Sequence, residues 1–188
     1  ALQAEWKRTP LARNDYQVMV RPGPERLMPR RRPGQWLVSG ASGFNWRGLE
    51  IRRAGDADTE ALLDLQCAYE QEEVLIANHQ LNRAVTRRVL ETSLREQCIY
   101  CASAGNLMVA KAGTNGCSWR YAQIGGVFTD PAWRRNGIGE HLMTAVMGDI
   151  FENGYGASLF VKLRNHPAIS LYNKLGFDAT DSLSIAYY

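Results

Sequence analysis

A glycine-bearing basic turn is the part of this sequence with the most obvious capacity for chemistry. The segment Val127-Phe128-Thr129-Asp130-Pro131-Ala132-Trp133-Arg134-Arg135-Asn136-Gly137-Ile138-Gly139-Glu140 reads as a strand, a turn and the opening of an amphipathic helix. The unpaired N–H groups and positive dipole end of such a helix start suit a phosphate. Gly137 and Gly139 remove side chains that would hold a diphosphate off the backbone, and Arg134 and Arg135 add fixed positive charge. The spacing lacks the Gly-Lys-Ser/Thr of a P-loop and the three glycines of a dinucleotide fingerprint, so both of those nucleotide readings are excluded. Farther along, Asn165 precedes Pro167 and reads by itself as a helix cap. Tyr172 lies on an apolar helical face, where a tyrosine is usually core with its hydroxyl at the edge. His79, His141 and His166 have no partners at metal spacing. Cys98 and Cys101, three apart in a strand, send their thiols to opposite faces, which argues against metal or redox chemistry.

The elements that must position these residues are legible from periodicity. Leu49-Glu50-Ile51-Arg52 alternates like a half-buried strand, with Asp56 or Asp58 as the N-cap of the helix after it. Ala61, Leu62, Leu65, Ala68 and Tyr69 recur at helical spacing, with Glu70, Glu72 and Glu73 near the end. A second helix is predicted from about Asn82 to Gln97. Strands come next at Cys98–Ser103 and Leu107–Ala112 around a tight turn at Ala104-Gly105-Asn106, and Gly113-Thr114-Asn115-Gly116 reads as a further turn. The next strand, Tyr121–Thr129, carries Gly125-Gly126, a signal for a bulge or a close approach to the backbone. Ile138, Leu142, Val146 and Ile150 then mark a helix, Ser158–Leu163 a buried strand, and Ala168, Leu171, Tyr172 and Leu175 a last helix ended by Gly176. A closing strand is predicted around Ser182–Tyr187.

Composition bounds the rest. The 188 residues are 45% hydrophobic and 22% charged, which fits one folded domain and excludes collagen-like, low-complexity and wholly disordered chains. No run approaches the roughly 18 apolar residues of a membrane span, and four irregularly spaced cysteines do not make a disulfide scaffold. A cytoplasmic protein with reduced thiols is the expectation. Residues 1–48 hold nine Lys and Arg against three acids, whereas residues 49–188 hold thirteen against sixteen. The stretch 1–48 therefore reads as a basic N-terminal arm or a remnant of an upstream region, and 49–188 as the domain proper. Arg30-Arg31-Arg32 within the arm would attract phosphate without reading sequence, but a solvated or packed linker is the preferred reading over a nucleic-acid partner. The patches Tyr16–Val20 and Gln35–Val38 are apolar enough to pack as short strands.

Taken together, these residues make the sequence resemble the GNAT superfamily of acyl-CoA-dependent N-acyltransferases. Arg134-Arg135-Asn136-Gly137-Ile138-Gly139 fits that family's Gln/Arg-x-x-Gly-x-Gly/Ala signature. Asn165, Ala168, Leu171-Tyr172, Lys174 and Gly176-Phe177 look like its second segment, in the family's order and at its separation. The resemblance covers about residues 121–178 by motif and 49–188 by element order. It implies an α/β (α+β) fold, with a mixed, mostly antiparallel sheet whose splayed central strand pair is flanked by helices. It also implies acetyl-CoA as cosubstrate with coenzyme A as product, no metal, and a small-molecule or peptide amine as acceptor in a monomer or homodimer, with no membrane partner.

Carried over residue by residue, the resemblance places the pantetheine arm beside Val127, Phe128 and Thr129. It places the diphosphate on the turn Arg134, Arg135, Asn136, Gly137, Ile138, Gly139 and Glu140. Asn165 looks like the family's pantetheine-binding asparagine, and Tyr172 like the tyrosine that protonates the coenzyme sulfur. The expected activity is acetyl transfer to a primary amine by direct attack in a ternary complex. The chain departs from many relatives in one respect, since neither splayed strand carries a carboxylate to serve as base. Glu70, Glu72, Glu73 or bulk solvent are the alternatives for that role. The missing carboxylate also motivates a rival reading, a non-catalytic acyl-CoA-binding module attached to an upstream domain.

Overall fold

The computed structural model describes residues 10–23, 44–76 and 79–188. The apolar alternation of the sequence builds eight strands: β1 (Ala12–Arg21), β2 (Phe44–Trp46), β3 (Leu49–Arg53), β4 (Ile99–Ala104), β5 (Leu107–Cys117), β6 (Tyr121–Thr129), β7 (Gly156–Lys162) and β8 (Asp178–Tyr187). They form a single sheet in the order β2-β3-β4-β5-β6-β7-β1-β8. Its pairs are antiparallel except β6 with β7. The fold is thus the mixed, mostly antiparallel α/β architecture expected.

Four helices cover the two faces: α1 (Thr59–Tyr69), α2 (Arg83–Glu96), α3 (Ile138–Glu152) and α4 (His166–Lys174). Strand alternation assigns residues to the faces. Cys98, Tyr100 and Ala102 pack with Ile138, Leu142, Val146 and Ile150 of α3, whereas Ile99 and Cys101 pack with Leu62, Leu65, Leu90 and Leu94 of α1 and α2. The two thiols of Cys98 and Cys101 do lie in different cores. Burial of these two apolar layers is the main driving force for the fold.

Several elements differ from expectation in extent. β5 runs through Gly113-Thr114-Asn115-Gly116 to Cys117, because the glycines there allow the strand to continue against β4 and β6 where a turn was expected. β8 starts at Asp178, four residues early, since pairing with β1 overrides a polar sequence. Asp58 precedes α1 but makes no side-chain cap to it; its carboxylate takes Arg52 at 2.6 Å and the Gly55 N–H at 2.9 Å. Asn82 does cap α2, accepting from the N–H groups of Ala84 and Val85.

The segment around Tyr16–Val20, read from sequence as part of an arm, is a ten-residue interior strand. β1 pairs with β7 on one side and β8 on the other, and Met19 at 0% exposure belongs to the α3-side core. Gln35–Val38 and Arg30-Arg31-Arg32 lie outside the described residues. No helix of the described residues is long and apolar enough to cross a membrane.

Candidate active site

The turn after β6 is built by local hydrogen bonds. Asp130 caps the short 3-10 turn Pro131–Trp133 by accepting from the Ala132 N–H at 2.8 Å. Asn136 Nδ2 then donates to the carbonyls of Trp133 and Arg134, folding the loop back on itself. Arg135 at φ +62° and Gly137 at φ +80° both take left-handed conformations. Such alternation turns successive N–H groups toward one side, the geometry of an anion-binding nest. Among the described residues, the backbone N–H groups of Arg135, Asn136, Gly137, Ile138 and Gly139 have no acceptor. Gly137 is exposed, with the Trp46 ring along one side, where a Cβ would meet it at 3.4 Å. A run of free amides at the start of a 15-residue helix fits a diphosphate.

The charged side chains around the turn are unequal. Arg135 is exposed, but Arg134 is engaged: its Nε donates to the Thr129 carbonyl at 2.9 Å and its Nη2 to Glu72 at 2.7 Å. Arg134 therefore ties the turn to the end of α1. Glu140 accepts from Lys174 Nζ at 2.6 Å, linking α3 to α4, and the Ile138 side chain is buried in the core.

Beside this turn the parallel strands part. β6 and β7 pair from Tyr121 with Gly156 to Ile124 with Leu159, and no further. Past that point β7 continues against β1, and β6 continues against β5. Lys111 pairs with Phe128 and Gly113 with Gly125, so one extra residue of β6, at Gly126–Val127, stands opposite Ala112. This is the bulge signalled by Gly125-Gly126. Gly126 sits at φ +61°, and a Cβ at Gly125 would lie 1.9 Å from the Asn115 amide, so glycine is favoured at the first and any other residue at the second must displace the Asn115 side chain.

The end of α1 closes over the gap. The helix widens into a five-residue π turn, Glu70–Val74, with Leu75 N–H donating to the Glu70 carbonyl. The three acids considered as bases are each engaged. Glu70 accepts from Gln66 and from Thr86 of α2, Glu72 holds Arg134, and Glu73 receives Lys162 Nζ of β7 at 3.0 Å and Asn165 Nδ2 at 3.2 Å. Asn165 also caps α4, accepting from the Ala168 N–H at 3.2 Å. Glu73 thus bridges α1, β7 and α4 at the point where the strands separate.

Tyr172 faces into this region from α4, 7% exposed and packed near Phe177 with ring centroids 6.0 Å apart. Burial, with Tyr69 and Glu73 nearby, pushes its phenol well above the usual range, so it keeps its proton at neutral pH. Tyr69 and Tyr16 are shifted the same way, chiefly by burial. Three tyrosines from α1, β1 and α4 therefore surround Glu73, all as neutral phenols.

The structure brings together Val127, Phe128 and Thr129, the turn Arg134–Glu140, Asn165 and Tyr172 around one gap, although the Phe128 side chain itself belongs to the α1–α2 core. Sequence reasoning missed Lys111, Lys162, Tyr69 and Tyr16. A lone lysine inside each of the apolar runs Leu107–Ala112 and Ser158–Leu163 was the signal available; which residues they meet is set by strand pairing and helix docking. His166 is exposed, and His141 packs against Trp46 with the rings tilted and their centroids 4.4 Å apart. Among the described residues no group of three His, Cys, Asp or Glu is placed to hold a metal.

Comparison with known proteins agrees with this geometry. Residues 59–177 match the acetyltransferase (GNAT) family. No curated protein matches the chain in sequence. Among solved structures, a GNAT-family protein of Novosphingobium aromaticivorans superposes with a TM-score of 0.66 at 20% identity, over 95% of this chain and 65% of that one. This chain accordingly spans about two thirds of that relative's length. A Clostridium acetobutylicum protein with acetyl-CoA has a TM-score of 0.58 at 20% identity, covering 71% of this chain and 92% of that one. A Salmonella typhimurium protein with its cofactor acetyl-CoA gives 0.59 at 19%, covering 72% and 82%. At these identities the structures speak to fold, and the matched stretch speaks to kinship. The family match spans well over half of the sequence and contains both the free-amide turn and Tyr172, so the chain belongs to the GNAT acetyltransferase family.

Proposed function

We propose that this protein is an N-acetyltransferase that moves the acetyl group of acetyl-CoA to a primary amine by direct attack in a ternary complex. The observation that carries the reading is the run of acceptor-free amides from Arg135 to Gly139 beside a strand pair that parts after Ile124 and Leu159. Family membership and the two relatives solved with acetyl-CoA support the choice of cosubstrate. When bound, acetyl-CoA supplies an acetyl thioester activated for transfer to nitrogen.

The chain's own residues divide the work. The amides of Arg135, Asn136, Gly137, Ile138 and Gly139, with Arg135 alongside, hold the diphosphate, and the bulged stretch Val127–Thr129 lines the pantetheine path. The Val127 N–H stabilises negative charge on the thioester oxygen. Tyr172, protonated at neutral pH, gives its proton to the departing thiolate. Asn165 caps α4 through its Oδ1, and its Nδ2, which donates to Glu73, has a second N–H for the pantetheine. The acceptor amine enters beside Glu73, whose carboxylate and surrounding phenols suit a cation.

No carboxylate stands on β6 or β7, so the amine loses its proton through water to Glu73 or to bulk solvent. That same absence favours one rival, a non-catalytic acyl-CoA-binding module. Calorimetry with acetyl-CoA, followed by thiol release across a panel of primary amines, separates the two. Binding with amine-dependent release is expected; binding without release for any amine would leave the non-catalytic acyl-CoA-binding module standing.

A further inference from the structure

Lys111 is the one lysine of β5, and it lies inside the sheet's α1-side layer at 6% exposure. Its Nζ donates to the Gly126 carbonyl at 2.9 Å and sits 4.5 Å from the centre of the Tyr69 ring. A Cβ on Gly126 would lie 2.9 Å from that nitrogen, so the ammonium sits directly against the bulge. The Gly126 carbonyl and the Val127 N–H belong to one peptide group. A cation held at one end of a peptide withdraws electron density through its resonance and makes the N–H at the other end a stronger donor.

We infer that Lys111 is a positioning residue that fixes the β6 bulge and sharpens the Val127 N–H as the hydrogen-bond donor to the thioester oxygen. This rests on the acetyltransferase reading above, and it adds to that reading a group with no direct contact to either substrate. The contribution is largest where water is excluded, as beneath Tyr69.

The effect depends on charge. Lys111 faces Tyr69 from α1, Glu70 from the π turn and Cys101 across the strand pair. Tyr69 and Cys101 both hold their protons at neutral pH, because burial pushes each upward, Cys101 to about 11. Desolvation lowers Lys111 to about 8, with Glu70 opposing the shift. The ammonium is therefore charged at pH 7 and discharged through the range above about 8, where its hydrogen bond to Gly126 loses charge assistance.

Isotope-edited infrared spectroscopy of acetyl-CoA labelled with ¹³C at the acetyl carbonyl, bound to the full chain without acceptor, tests this. In the wild type at pH 7 the carbonyl stretch is expected below its value in solution. Raising the pH to 9.5 should move it back toward that value. Lys111→Met should show the smaller displacement at both pH values, with acetyl-CoA affinity changed by less than about threefold and turnover reduced roughly tenfold. Lys111→Arg, which stays charged, should lose the pH dependence. A displaced wild-type stretch that is insensitive to pH, or one retained in Lys111→Met, overturns the role of Lys111 alone. A wild-type stretch equal to that in solution removes the β6 amide as the donor, and the inference with it. The pH titration needs no substitution, so it decides the matter even if Lys111→Met fails to fold.

Discussion

Gly137 and Tyr172 are the residues on which the proposed chemistry is most exposed to test. Gly137 combines a left-handed backbone with an exposed position in the free-amide run, so a β-branched side chain there is strained by about 1–2 kcal/mol and crowds the turn proposed to hold the diphosphate. Gly137→Val is expected to weaken acetyl-CoA binding at least tenfold in calorimetry while the far-ultraviolet spectrum stays native. Tyr172→Phe keeps the ring against Phe177 and removes only the hydroxyl that would carry the proton. Turnover should fall by about 10²-fold with acetyl-CoA affinity nearly unchanged, in the range of general acid catalysis; undiminished turnover would assign the proton to another donor. Both positions stand out in the sequence because their neighbours along the chain mark them: a glycine shortly after two arginines at a helix start, and a tyrosine inside the segment that resembles the family's second motif. Lys111, Lys162 and Tyr16 do not, since their partners come from other strands and from α1.

At the scale of elements, Asn165 and Glu73 decide how the gap between β6 and β7 is closed. Asn165 caps α4 through its carbonyl oxygen and spends its amide on Glu73, which also receives Lys162. Asn165→Ala should cost about 1 kcal/mol in urea denaturation, the usual loss of a side-chain cap, and should separate α4 from the end of α1. A change of only a tenth or two would mean that Pro167 and packing of α4 suffice to start the helix. Element identities were largely readable from periodicity: α1 to α4, the hairpin at Gly105 and the bulge at Gly125-Gly126 stand where alternation, caps and glycines put them. Their ends were harder. β5 continues through two glycines, and β8 begins in a polar stretch, because in each case hydrogen bonds to a neighbouring strand outweigh what the local residues prefer. The π turn after α1 has no local signature in Glu70–Val74, yet it carries the acids to Arg134 and Lys162.

For the molecule as a whole, β1 joins parts of the chain that periodicity treats as unrelated. Among the described strands it is the only partner of β8 and the second partner of β7. Deleting residues 1–23 should therefore leave β8 without a neighbour, expose one side of β7 and open the core at Met19. Loss of cooperative thermal unfolding, or recovery only as aggregate, is expected; a shortened chain that melts like the intact one would show that the remaining seven strands suffice.

The pairing of Ala12 with Tyr187 also sets an order of events during synthesis. β1 leaves the ribosome ahead of the other seven described strands, yet both of its neighbours are the last two of them to be made. It must wait, unpaired and apolar along one face, until β7 and β8 emerge, and only then can the sheet be zipped shut. The gap that is proposed to take acetyl-CoA borders β7, so a nascent chain acquires its finished cosubstrate groove as one of the last acts of folding, after an early segment has threaded back between two strands made long after it.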